Sequence, residues 1–283
     1  MNAVREGMLK AMHLLKQHAQ LRETDIELKS DGTFVTVMDR TIEEILVRSI
    51  GARFPDIPVL AEESSAALDA TDRKKWAEAF FSSNYQVILD PIDGTRNFIQ
   101  GSRQYCIAVA LTKKIASGIW PVVGVVAVPE EDCLYWNMEG SVFKEHVISG
   151  EVIPVECDLA PAAQLSVNSK DRQWAKDSGI RFHFPWVSSG SSVYDFLGII
   201  TGRNRGCLLG SQRLWDLMAP LAIALDAGHS LVDLETESIV ESISPNDITI
   251  GDADSSWGFA RRFVLLRRGD CLDDLIEKLG SGE

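Results

Sequence analysis

The run Gln86-Val87-Ile88-Leu89 reads as a buried strand, and it flows directly into Asp90-Pro91-Ile92-Asp93-Gly94-Thr95. Proline has no N–H for a sheet ladder and stiffens the backbone, so the strand meets a rigid turn here. Two aspartates three positions apart ride on that turn. Gly94 lets the backbone fold closely, and a helix opening near Thr95 would aim its unpaired N–H groups at an anion. Carboxylates placed in this way suit hard cations such as Mg²⁺, which take oxygen ligands. Asp-Gly-Thr alone is also an ordinary turn and helix cap. The full six-residue string is much rarer.

The pattern on either side of this string sets the fold class. Residues 1–18 carry Met8, Met12 and Leu15 at helical spacing. A second helix opens at Asp39 or Arg40, with Ile42, Ile45, Leu46 and Ile50 as its apolar stripe and Pro55 beyond its end. Pro58–Ala61 reads as a short strand. Residues 65–84 read as a surface helix or loop anchored by Trp76 and Phe80. Strands are expected at Cys106–Thr112, Val122–Val128, Cys133–Trp136 and Val142–Lys144, with Pro129–Asp132 as a hairpin connection. Further on, Leu165–Asn168 and Trp186–Ser188 read as strands. Ser192–Ile200 and Asp216–Asp226 read as helices, the second ended by Gly228. Alternation of strands and helices in the second half predicts an α/β arrangement. Two closely packed units are expected, 1–145 and 146–283.

Composition narrows the function. The 283 residues hold 28 Lys+Arg against 41 Asp+Glu, a formal charge of −13. Such a chain is a poor partner for a nucleic acid polymer or an anionic membrane. The longest near-apolar run, Gly118–Val128, is too short to cross a bilayer. The five cysteines (Cys106, Cys133, Cys157, Cys207, Cys271) are scattered, without a CxxC or Cys/His cluster, so neither a zinc site nor a disulfide framework is expected. No signal-peptide pattern is seen, and the expected setting is cytoplasmic and reducing. His13, His18, His146, His183 and His229 form no motif.

Two more acidic segments matter: Ala61-Glu62-Glu63-Ser64 after a strand, and Leu214-Trp215-Asp216-Leu217-Met218-Ala219-Pro220, where Asp216 stands at an N-cap position. Each alone fits a solvated or capping role. Together with Asp90-Pro-Ile-Asp93-Gly94-Thr95-Arg-Asn-Phe98, in this order, they resemble the inositol monophosphatase family of Mg²⁺-dependent, lithium-sensitive phosphatases. Lys29 with Val35-Thr36-Val37-Met38-Asp39 is similar to the family's early block, and Gly190-Ser191-Ser192 to the block before its penultimate helix. The likeness runs from about residue 8 to residue 265.

The resemblance implies an α+β, or α/β, fold: the layered α-β-α-β-α sandwich of the inositol monophosphatase and fructose-1,6-bisphosphatase type. It implies two or three Mg²⁺ ions. Glu62, Asp90 and the Ile92 carbonyl would hold the first, and Asp90, Asp93 and Asp216 a second, with Glu63 alongside. Gly94 and Thr95 would bind phosphate through backbone N–H groups, and Asp216, Gly190 and Ser191 would face the substrate. Thr95 and Glu62 would orient the attacking water, Asp39 would hold the Thr95 hydroxyl, and Asp93 would help protonate the leaving oxygen. A homodimer is left open.

Some positions depart from the family pattern. Ala61 replaces the usual glycine, Met218-Ala219 replaces Ala-Ala, and Ala227-Gly228-His229 replaces Ala-Gly-Gly. The stretch Leu208-Leu209-Gly210-Ser211-Gln212-Arg213 lacks the carboxylate that inositol phosphate enzymes tend to carry before Trp-Asp. The expected activity is therefore Mg²⁺-dependent hydrolysis of a small phosphate monoester. The 3′(2′),5′-bisphosphate nucleotidases and histidinol-phosphate phosphatases of the same family are the alternatives. Arg203, Arg205 and Arg213 are candidates for a second anionic group. An aspartyl nucleophile is disfavoured, because the spacing is Asp-x-x-Asp rather than Asp-x-Asp. The Cys207–Arg213 spacing fits a Cys-x5-Arg loop, but the residues between lack its glycines. A metal-binding regulatory protein without turnover is the reading from another class.

Overall fold

The strand that carries Asp90 lies second in a seven-stranded sheet whose two faces are covered by different helices. The computed structural model describes residues 2–18, 25–29, 32–66, 68–156, 163–251 and 257–278; Cys157 lies outside them. The first elements are α1 (Asn2–Gln17), the hairpin β1 (Ile26–Leu28) and β2 (Phe34–Thr36), and α2 (Val37–Gly51). Then come β3 (Val59–Ala61), α3 (Glu62–Ala66), α4 (Ala70–Ser82), β4 (Tyr85–Asp93) and α5 (Thr95–Ile99). An antiparallel run follows: β5 (Cys106–Ile115), β6 (Gly118–Val128), β7 (Cys133–Met138), β8 (Ser141–His146) and β9 (Glu151–Pro154). The sheet order is β3 to β9 in sequence, with β3 and β4 parallel and every later pair antiparallel. Its last strand is drawn from beyond residue 145.

The second half holds β10 (Leu165–Ser166), α6 (Ser169–Asp177), β11 (Ile180–Phe182), β12 (Trp186–Val187) and α7 (Ser192–Ile200). It continues with β13 (Gly206–Leu209), α8 (Leu214–Asp226), β14 (Ser230–Asp233), β15 (Phe263–Leu266) and β16 (Ile276–Lys278). A five-stranded sheet runs β12-β10-β13-β15-β14, and β11 pairs with β16.

Side-chain alternation builds the layers. On β4 to β6, Val87, Leu89, Ile107, Val109, Val125 and Ala127 face the stripe of α1 and α2 (Met8, Met12, Leu15, Ile42, Leu46). Their neighbours Ile88, Ala108, Ala110, Val126 and Val128 face α7 and α8. Those two helices also cover the inner face of the second sheet through Cys207, Leu209, Phe263 and Leu265. The outer face of that sheet, Leu208, Val264 and Leu266, packs with Ala175 of α6. The result is α-β-α-β-α, as the resemblance implies.

The central helix sits unusually close to the first sheet. A Cβ on Gly124 of β6 would lie 2.0 Å from the Ala219 carbonyl oxygen of α8, so no side chain fits at that position.

Two helix starts differ from the sequence expectation, for one physical reason. Helix α2 begins at Val37 with Thr36 as its cap, and Asp39 is the third helical residue, accepting from the Thr36 N–H at 2.7 Å. Helix α8 begins at Leu214, and Asp216 is again third, accepting from the Arg213 N–H at 2.8 Å. An acid at this position reaches back to the cap N–H, as in a capping box. The expected openings at Asp39 and Asp216 therefore fall two residues late. The segment 65–84 resolves into the end of α3 and helix α4, with Trp76 stacked on Phe80 at 4.9 Å.

Candidate active site

Four element ends meet where β4 stops. The end of β4 supplies Asp90 and Asp93, the start of α3 supplies Glu62 and Glu63, and the first turns of α2 and α8 supply Asp39 and Asp216. Asp90, Asp93 and Asp216 each place a carboxylate oxygen within 4.8 Å of the others. Asp90 is 1% exposed, and its Oδ1 has no hydrogen-bond partner among the described residues. A buried, unpartnered carboxylate oxygen is costly unless a cation answers it. This donor set consists of hard oxygens, which fits Mg²⁺.

The electrostatics agree. Burial, reinforced by the charges of Glu62, Asp93 and Asp216, pushes the Asp90 carboxyl well above its usual range. Burial and the Asp216 charge push Asp93 up to about 8, against the pull of its hydrogen bonds from Ser191, Val193 and Ser192. Burial raises Asp216 to about 6, with the Arg213 N–H opposing. These shifts are those of like charges gathered in a buried place.

Glu62 stands outside the 4.8 Å group. Lys29 draws it off, its Nζ lying 2.8 Å from Glu62 and 2.6 Å from Glu63. Burial alone would lower the Lys29 pKa, but the two glutamates outweigh it and keep the ammonium charged. Burial and Glu62 push Glu63 up to about 8. Glu43, on α2, accepts from the N–H groups of Glu63 at 2.7 Å and Ser64 at 2.8 Å, and so fixes the start of α3.

Asp39 and Thr95 are brought together as the resemblance implies. The Thr95 hydroxyl lies 3.0 Å from Asp39 Oδ1 and 3.0 Å from the Ile92 carbonyl oxygen, and it can donate to either. Asp39 is fully buried, and burial raises it to about 6 even though Thr36 and Thr95 donate to it.

The segment before α7 closes the site from the other half. Asp93 accepts from the Val193 N–H at 2.8 Å, the Ser192 N–H at 3.2 Å and the Ser191 hydroxyl. The Ser191 hydroxyl is thus spent on Asp93, while its oxygen accepts from the Tyr194 N–H. Asn97 Nδ2 donates to the Gln104 and Ser189 carbonyls, tying the segment to α5. Gly94 and Gly190 both have left-handed backbones, with φ of 90° and 88°. A Cβ on Gly190 would press on Asn97 at 2.9 Å, so glycine is required there for space as well as backbone.

Two adjoining cavities result, sharing Gly190 in their walls. One, about 340 Å³, is lined by Glu62, Ile92, Asp93, Gly94, Thr95 and Asp216, with Phe34 and Arg96 at its rim. The other, about 410 Å³, is lined by Asn168, Arg172, Trp186, Ser191, Asp195 and Gln212, among others. The wall at Gln212 is neutral, and its Oε1 already accepts from the Gly210 and Ser211 N–H groups.

The three arginines expected near a second anion do not converge. Arg205 pairs with Asp270 at 3.1 Å, Arg203 stacks on Tyr194 at 4.1 Å, and Arg213 lies over Trp215 at 5.7 Å. The arginine in the larger cavity is Arg172, which the sequence reading missed; its partner Trp186 is fourteen residues away on another element. Cys207 lies buried in β13, and burial pushes its thiol well up, the reverse of an activated nucleophile.

By its relatives the protein is a phosphoric monoester hydrolase, and a layered fold that gathers buried carboxylates beside a glycine-opened helix start suits that chemistry. The chain belongs to the inositol monophosphatase family, whose family model matches residues 2–258. Mg²⁺ dependence and lithium sensitivity are general to that family. A 3′(2′),5′-bisphosphate nucleotidase CysQ of Aggregatibacter actinomycetemcomitans is 31% identical over 253 residues, covering 83% of this chain and 87% of the relative. A fructose-1,6-bisphosphatase/inositol-1-monophosphatase of Aquifex aeolicus is 26% identical over 238 residues, covering 76% and 78%. The solved structure of CysQ from Bacteroides thetaiotaomicron shares the fold, with a TM-score of 0.66 at 20% identity over 95% of this chain and 97% of that one. No helix among the described residues is long and apolar enough to cross a membrane.

Proposed function

We propose that the protein is a Mg²⁺-dependent phosphatase for a small nucleotide, removing the 3′- or 2′-phosphate of a nucleoside 3′(2′),5′-bisphosphate. The observation that carries the hydrolytic part is the buried cluster of Asp90, Asp93 and Asp216 with its unpartnered Asp90 oxygen. The substrate part is supported by relatives named as 3′(2′),5′-bisphosphate nucleotidases. The neutral wall at Gln212 supports it too, because a sugar or inositol ring is better held by a free carboxylate.

In this reading Glu62, Asp90, Asp93, Asp216 and the Ile92 carbonyl hold two or three Mg²⁺ ions. When bound, they neutralise the phosphate charge and make a bound water acidic. The protein's own groups do the positioning. Gly94 and Thr95 offer N–H groups at the start of α5 to the phosphate oxygens. The Thr95 hydroxyl, turned toward Asp39, leaves its lone pairs to accept a hydrogen bond from the attacking water. Ser191, Ser192 and Val193 lock Asp93 in one orientation, and Gly190, by leaving room for Asn97, holds the segment that borders both cavities. The first half, 1–145, brings Asp39, Glu62, Asp90 and Asp93. The second, 146–283, brings Asp216 and the leaving-group wall. A cytoplasmic setting belongs to the same proposal.

The test is phosphate release from adenosine 3′,5′-bisphosphate, 2′-AMP, inositol 1-phosphate, fructose 1,6-bisphosphate and histidinol phosphate. Each is run with Mg²⁺, with chelator, with added Li⁺ and with Asp90→Asn. The expected result is Mg²⁺-dependent release, greatest with the bisphosphate and lost in the variant. A preference for inositol 1-phosphate or histidinol phosphate would overturn the substrate. Absence of release from every ester, with Mg²⁺ still bound, would favour a regulatory role.

A further inference from the structure

The larger cavity contains a pairing that the family motifs do not explain. Trp186, at the start of the two-residue strand β12, is 45% exposed and lines the cavity. The Arg172 guanidinium, reaching across from α6, lies 3.9 Å from the centre of its ring. The Arg172 guanidinium makes no ion pair or hydrogen bond among the described residues, so its side-chain N–H donors are unspent. Arg205 stacks on Phe184 in the same manner but also pairs with Asp270, and Arg5, Arg40 and Arg261 each have a carboxylate.

We propose that Trp186 and Arg172 form the subsite for the leaving nucleoside: the indole stacks the heteroaromatic base, and the edge of the Arg172 guanidinium binds the phosphate that is not cleaved. The inference rests on the nucleotide reading above and deepens it. Three observations carry it. The cavity, about 410 Å³, falls in the range of small-molecule sites and meets the acidic cavity at Gly190. From Gly190 back to Trp186 is four residues, at most about 14 Å of extended chain, so the reacting phosphate and the platform lie within the reach of one nucleotide. Lastly, the one carboxylate in the cavity wall, Asp195, has both oxygens turned to the Ser189 N–H, at 3.3 and 3.2 Å. That leaves an open aromatic surface and a free guanidinium as the distinctive groups. A guanidinium stacked by its face still presents its N–H edge, which matches a phosphate. An indole accepts any base by its face.

The deciding measurement is calorimetric titration with adenosine 5′-monophosphate and with adenosine, in chelator. AMP carries the base and the uncleaved phosphate but needs neither the metal centre nor turnover. The wild type should bind AMP more tightly than adenosine. Trp186→Ala should weaken AMP binding about 5- to 150-fold, the usual range for loss of one base–aromatic stack, and Trp186→Phe should recover most of it. Arg172→Ala should abolish the preference for AMP over adenosine. With Mg²⁺ present, Trp186→Ala should also lower the ratio of kcat/KM for adenosine 3′,5′-bisphosphate to that for inositol 1-phosphate by a similar factor. Failure of the wild type to bind AMP overturns the proposal, as does AMP binding by a folded Trp186→Ala variant at wild-type strength. The phosphatase reading fails separately, by absence of phosphate release from any ester, and the AMP titration decides the subsite in that case too.

Discussion

Replacing Asp90 by asparagine should make the metal-free protein more stable while destroying its function. Asp90 is buried among Glu62, Asp93 and Asp216, and one of its oxygens is unpartnered. Two unit charges 4.8 Å apart, the limit that encloses this cluster, repel by about 3 kcal/mol at an effective dielectric of 20. Protons shared within the cluster already relieve part of that repulsion. The net gain expected from Asp90→Asn is therefore about 1–3 kcal/mol, below the unrelieved pairwise value. At ~2–4 °C per kcal/mol for a chain somewhat smaller than this one, the metal-free Tm should rise by several degrees. The assay is thermal unfolding near neutral pH, with chelator and with excess Mg²⁺. Mg²⁺ should raise the wild-type Tm, because it binds only the folded state, and should leave the variant nearly unmoved. Phosphate release should fall at least about 10²–10³-fold, the scale seen when one preorganised electrostatic group is lost. A variant less stable than wild type in chelator, or one that keeps the full Mg²⁺ shift, would refute the view of this cluster as like charges assembled for a cation.

Thr95→Val removes the hydroxyl between Asp39 and the phosphate seat at nearly constant volume; kcat should drop about 10²–10⁴-fold with KM little changed, and a drop under ~3-fold would remove Thr95 from the reaction. His229 is buried and accepts from the Arg268 N–H, and burial, aided by Arg267, lowers its pKa from 6.5 to about 4. The unfolded imidazole takes up a proton near 6.5 and the folded one resists until about 4, so acidification across that window favours unfolding, by at most about 3 kcal/mol. His229→Asn should flatten the fall of Tm between those pH values; an unchanged slope would assign the acid sensitivity to other groups.

The sequence made some parts of this architecture plain and hid others. The strands from β4 to β8 were legible because each is a run long enough to show its period, with turn residues between. The short strands β13 and β15 were not, since four wholly buried residues such as Gly206–Leu209 look alike in a strand or a helix. The acids of the candidate centre stood out because Asp90 and Asp93 share one rare string. Asp39 and Asp216 were found but placed at helix openings, because an acid that reaches back to a cap N–H has the same sequence signature as the cap itself. Arg172 was invisible because nothing local marks it: its meaning depends on Trp186, which only the parallel pairing of β10 with β12 brings alongside.

The notch at Gly124 gives this arrangement a mechanical side. The Ala219 carbonyl rests in it, three residues along α8 from Asp216. Left to themselves, Asp216 and the two aspartates of β4 would move apart. The Gly124 contact fixes how near the helix lies to the sheet, and the aspartates of β4 are pinned by the ladder to β5. The fold thus works as a vice, its jaws set by a contact between two main chains rather than by the acids they carry. Any side chain at position 124 would shift a jaw, and the gap in which a cation must fit would change without any acid having been altered.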